Sequence, residues 1–243
     1  MKIKIPRYLL ILIAIIILWN TIIIKPLKIF TVYLHELGHA LMAFMFGGGI
    51  SSFNVNMNES GYTIVHTKGW FSEFMAANGG YLGSVLFAVL ILYLKRTSFK
   101  KYILGTLAIL FLGVSIKYSS NGSTLIYSII FTAFVLLIYM LQNEKVTDWV
   151  IDIIGVASAA YAIYDTFVDT ILLQINTKLH IINGWSKQPV TDAVNLARIT
   201  HVPSLVWGAI WLAISIAAVY AVLKKSKTSS GRKRRMGKTA NIR

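Results

Sequence analysis

The chain has 243 residues, 56% of them apolar, and sets only nine carboxylates against 24 Lys and Arg. Cysteine is absent, which excludes a disulfide framework and thiolate metal ligands and leaves His, Asp and Glu to hold any metal. The formal charge of +15 gathers at one end: residues 224–243 carry nine of the basic residues and no acid.

A helical run of about 20 apolar residues can cross a bilayer's hydrocarbon core. Such runs near residues 8–24, 28–46, 74–94, 102–117, 123–141, 149–173 and 204–223 predict six or seven spans. The expected class is an all-α polytopic membrane protein. The first run follows Arg7 but shows no small-residue cleavage site after Trp19-Asn20-Thr21, so it is expected to stay as an anchor.

The second run contains His35-Glu36-Leu37-Gly38-His39, an H-E-x-x-H motif. On a helix, residues four apart share a face, so His35 and His39 can present imidazole nitrogens to one Zn²⁺. Glu36 is then placed as the general base that takes a proton from water. Gly47-Gly48-Gly49 ends this helix. Residues 52–57 and 62–67 alternate polar and apolar side chains around Asn58-Glu59-Ser60-Gly61, which predicts a small β-hairpin with Gly61 at or near its turn. Two roles stand for it: an edge strand that receives an extended peptide by strand addition, or a packing element.

The third run opens with Ala76-Ala77-Asn78-Gly79-Gly80-Tyr81-Leu82-Gly83-Ser84, small residues of the kind that let membrane helices approach closely. Asn78 is read first as an interhelical contact and second as a group facing the site. In the sixth run, Asp165 and Asp169 lie four apart on one helix face. A carboxylate at such depth costs roughly 2.5–3.5 kcal/mol, which metal coordination would offset; a proton relay or a span-end position is the competing reading. The other carboxylates, Glu59, Glu73, Glu144, Asp148, Asp152 and Asp192, fall in predicted loops or at span ends, as do His66, His180 and His201. Elimination therefore leaves the pair Asp165 and Asp169 as the candidates for a third ligand of a zinc site. No glutamate besides Glu36 is embedded mid-span, which disfavours a glutamate third ligand.

The polar segment 174–203 is expected outside the hydrocarbon core or at its surface, with a short helix near Ala193–Arg198 capped by Thr191 or Asp192. Trp207 and Trp211 open the last run as expected interfacial residues. Residues 1–223 thus form one integral membrane domain, and 224–243 a basic disordered tail suited to anionic lipid. No nucleic-acid partner is expected, because no folded nucleic-acid module accompanies the basic run.

Taken in order, these pieces resemble a family. They are His35 to Leu41, Gly47-Gly48 with the hairpin, Ala77 to Gly83, Tyr164-Asp165 with Asp169-Thr170, Thr191-Asp192-Ala193, and Pro203 with Trp207-Gly208 and Trp211. The set resembles the site-2 protease group of intramembrane zinc metalloproteases, in its short branch without a PDZ domain. The resemblance implies zinc held by His35, His39 and an aspartate from a later span, Glu36 as base, and membrane-protein or peptide substrates cleaved in or beside the bilayer. Better-studied members carry that aspartate in a Leu-Asp-Gly sequence, which this chain lacks; Asp165 and Asp169 are its nearest equivalents, with Asp165 favoured as the third ligand and Asp169 in reserve. Two other readings stay open: a non-catalytic binding or regulatory protein on the same fold, and an ion or proton transporter relaying through Asp165 and Asp169.

Overall fold

The computed structural model describes residues 7–179 and 191–240; His180 and the rest of 180–190 lie outside it. Nine α-helices and one β-hairpin make up the described residues. The expected class is what is observed, all-α and polytopic with a small hairpin behind the motif helix. Helix α1 spans Arg7–Leu18, turning Ile11 and Ile15 inward. At 12 residues it is about 18 Å long, too short to cross a core of about 30 Å alone. The predicted first span breaks there because Thr21 bonds back to the Leu18 carbonyl through both its amide and its hydroxyl.

Helix α2, Lys25–Met45, starts with Pro26 in its first turn, where the missing N–H costs nothing. It is long enough to span but buries most of its surface within the protein, Tyr33, Leu34 and Ala43 being almost wholly enclosed. Its end is a Schellman motif: the Gly48 amide bonds to the Ala43 carbonyl, the Gly47 amide to that of Phe44, and Gly47 sits at φ +79°. The chain then forms β1 (Gly49–Val55) and β2 (Gly61–His66), antiparallel, with a register irregularity between Ile50 and Ser52. The turn falls one to two residues earlier than the composition predicts. It closes between Asn56 and Ser60 with Glu59 at φ +69°, so Gly61 begins the second strand.

Five helical segments are long and apolar enough to cross a membrane. They are α3 (Trp70–Leu94), a 3₁₀ turn running into α4 (Ile103–Tyr118), α5 (Gly122–Met140), α6 (Glu144–Thr166) with its continuation, and the first part of α9 (Ser204–Ala240). With α2 and the short α1 they account for the seven predicted runs. Helix α6 widens into a π-turn at Phe167–Leu172 before α7 (Leu173–Leu179). Helix α8 covers Asp192–Thr200. Helix α9 is described as far as Ala240.

The core lies between α2 and the helices around it. Phe30, Tyr33, Phe53, Phe111 and Phe131 form an aromatic cluster, in which Tyr33 donates to the Phe111 carbonyl and also meets Ser115. Helices α2 and α3 touch through glycine: a Cβ on Gly38, Gly79 or Gly83 would run into the facing backbone. The small-residue run of α3 thus does the packing expected of it. Asn78 is an interhelical contact, accepting from the Trp211 indole at 2.8 Å and donating to the Phe74 carbonyl. Trp211, expected at the interface, is fully buried for that reason, its ring packed at a tilt against Tyr81.

Candidate metal centre

Helix periodicity brings the motif histidines together as the sequence predicts, with the two Nε2 atoms 3.2 Å apart. The third group beside them is Asp192. Its Oδ2 lies 3.2 Å from His35 Nε2 and 3.0 Å from His39 Nε2. Among the described residues, His35, His39 and Asp192 are the cluster whose ligand atoms could hold one metal ion. Asp165, the expected third ligand, faces the other side of the ring, with Oδ2 3.9 Å from His35 Nδ1. Asp169 accepts from the Tyr81 hydroxyl at 3.3 Å.

The geometry fits a tetrahedral ion. Donors bound at about 2.0 Å with tetrahedral angles would be about 3.3 Å apart. The bonding state fits too. His39 Nδ1 is 2.8 Å from the Ala76 carbonyl, which can only accept, so the neutral ring keeps its proton there and a lone pair at Nε2. Asp192 Oδ2 is buried without a hydrogen-bond partner. Atoms converging in this way need positive charge between them, from a metal ion or from protons on the imidazoles.

Local structure explains each position. Asp192 is the first residue of α8, whose N-terminal dipole favours a carboxylate. Thr191 takes the N-cap position but makes no side-chain cap bond. Ala193 and Leu196 are fully buried against Tyr81 and Trp211, which fixes α8 on α3 and α9. Burial would push the Asp192 carboxyl up, but the facing His39 and His35 outweigh it and hold the group well below the usual carboxylate range. Gly80 makes room for the centre, since a Cβ there would lie 2.5 Å from His39 Nε2 and nearer still to His35.

Glu36, 5% exposed, lies against the hairpin. Thr63 on β2 donates to its Oε2 at 2.8 Å, and a Cβ at Gly61 would lie 2.7 Å from its Oε1. The hairpin is itself clamped: buried Asn54 accepts from the amides of Ser120 and Asn121, and Val55 bonds to Thr124. A cavity of about 610 Å³ opens over this ground, lined by the motif residues, β2, Asp165, Asp169 and Asp192. Glu59 pairs with Lys28, and Glu73 with Arg198, at its edges.

Sequence reasoning put Thr63 in the hairpin and Gly80 in a packing run, and gave neither a role at this site. Asp192 it placed in a matching motif and at a helix start, and set aside as a ligand because it lay outside the predicted spans. The remaining buried carboxylate, Asp152, is neutralised by Arg7 at 2.6 Å and by Lys95.

Fold and site together define an integral, multi-pass membrane protein with an H-E-x-x-H helix lining a polar cavity. The chain matches the Peptidase M50B-like family over residues 8–222 and belongs to it. That is the grouping to which the ordered motifs pointed. No curated protein and no solved structure matches the chain significantly.

Proposed function

We propose that this protein is an intramembrane zinc metalloprotease that cleaves transmembrane or juxtamembrane segments of membrane proteins. The observation that carries the reading is the convergence of His35 Nε2, His39 Nε2 and Asp192 Oδ2 within 3.2 Å of one another beside a buried glutamate. In this reading Asp192 completes the ligand set in place of Asp165 and Asp169. Zinc held there would acidify a water molecule and polarise the scissile carbonyl.

The chain's own groups do the rest. Glu36 accepts the proton of the attacking water and passes it to the leaving amine nitrogen. Thr63, by occupying Oε2, keeps the carboxylate turned so that Oε1 is the reacting oxygen. Gly61, Thr63 and Val65 lie on the cavity side of β2, and an extended substrate segment pairing along this strand would pass over Glu36. The basic end of α9 is suited to anionic lipid.

The test is cleavage of a transmembrane peptide library by purified protein, with zinc measured in parallel. Stoichiometric zinc and cleavage abolished by Glu36→Gln support the proposal. Cleavage unaffected by Glu36→Gln, or a protein that binds no zinc, sinks it.

A further inference from the structure

The two imidazoles of the centre are not supported alike. His39 gives its Nδ1 proton to the Ala76 carbonyl at 2.8 Å, which fixes both its tautomer and its ring angle. His35 Nδ1 is buried and has no hydrogen-bond partner. A ring held on one side only can rotate, and a buried N–H left unbonded costs about 1–3 kcal/mol. The acceptor facing it is Asp165 Oδ2, at 3.9 Å, about 1 Å beyond hydrogen-bonding range.

The surroundings leave that carboxylate free for the task. Asp169, one turn on, is engaged by the Tyr81 hydroxyl. The Tyr81 ring meets the His35 ring edge to face, with centroids 4.9 Å apart, and so blocks one direction of rotation. Among the described residues, no lysine or arginine forms an ion pair with Asp165; its basic neighbour is His35, and its other charged neighbours are the carboxylates Asp169, Asp192 and Glu36.

We propose that Asp165 is the positioning residue of His35: it accepts the Nδ1 proton's hydrogen bond when the centre carries its metal, fixing the tautomer and raising the ring's strength as a ligand. The inference rests on the ligand set proposed above. Coordination at Nε2 withdraws electron density from the ring, making Nδ1–H a stronger donor, and adds positive charge that attracts the carboxylate across the remaining gap. Asp165 is in this account necessary to tight binding without being a ligand.

The test is zinc affinity by chelator competition on the purified full chain, together with the visible spectrum of the cobalt(II) form. Asp165→Ala is expected to bind one zinc at saturation with affinity lowered 10–100-fold. Asp165→Asn, whose amide oxygen still accepts a hydrogen bond, is expected to recover part of that loss and to shift the cobalt bands less. Asp169→Asn is expected to stay within about twofold of wild type. Asp192→Ala is expected to lose stoichiometric metal.

Should Asp165→Ala bind zinc as wild type does, or lose thermal stability with affinity and cobalt bands unchanged, the positioning role is overturned and the ligand set stands. Should Asp165→Ala lose the metal at saturation while Asp192→Ala keeps it, the ligand set falls, and this proposal with it.

Discussion

Thr63 Oγ1 donates a hydrogen bond to Glu36 Oε2 at 2.8 Å, so the motif's glutamate is held by a strand and not by its own helix. A hydrogen bond to a charged group contributes about 1.5–3 kcal/mol. If it orients the base chiefly in the transition state, Thr63→Val should lower kcat roughly 10–100-fold with KM little changed. Thr63→Ser should restore most of the rate. Steady-state cleavage of one peptide substrate by the three proteins decides the matter; equal loss in Val and Ser variants would show that the hydroxyl is not what counts.

Gly80 has room for a hydrogen atom only. Gly80→Ala drives a methyl group into both imidazole Nε2 atoms, and on the proposed ligand set the zinc content of the purified variant should fall well below stoichiometric. Overpacking of this kind costs about 1–3 kcal/mol, so a lower Tm should accompany the loss. Stoichiometric zinc in Gly80→Ala would contradict the assigned centre.

At Gly38 the effect should be on packing alone. A Cβ there overlaps the Gly79 carbonyl and Gly83, so Gly38→Ala must part α2 from α3. The expected result is a destabilisation of about 1–3 kcal/mol in detergent unfolding, larger than for Gly113→Ala, where a Cβ would meet nothing within 4 Å. Equal effects at the two sites would argue against close helix packing as the reason for the glycines.

Acid should reveal the Asp192 interaction in metal-free protein. Its native carboxyl lies well below the usual range, so folding favours the ionised form. That contribution is present above the unfolded-state value of about 3.9 and is lost as pH falls through the lower native one. The Tm difference between wild type and Asp192→Asn should therefore persist at pH 5 and shrink below about pH 4. A difference that widens on acidification has the wrong sign.

Much of this architecture could be read from residue pattern, and the exceptions have physical causes. The spacing of His35 and His39 is a local property of one helix, so their convergence was legible, as was the stop at Gly47. The partner of Glu36 was not, because Thr63 reaches it through the fold of the hairpin over α2. Asp192 was passed over for a similar reason. Ranking carboxylates by depth in an apolar run finds those that spans carry inward, and cannot find one that a short polar helix delivers from the side. Trp211 looks like an interfacial anchor by composition, but Asn78 supplies an acceptor inside the protein. The first run ends as a helix at Leu18, earlier than hydropathy suggests, because hydropathy does not register the Thr21 turn.

The order of the ligands along the chain has a consequence for biosynthesis. His35 and His39 emerge early, with Glu36 between them, whereas Asp192 follows five further helices, α3 to α7. A chain still being made therefore holds two of the proposed donors and a base, but no closed centre. Chains fold from the N-terminal end as they are synthesised. On the proposed ligand set the protein would stay inert while its own unpacked helices lie in the membrane, and would arm itself only once α8 has docked.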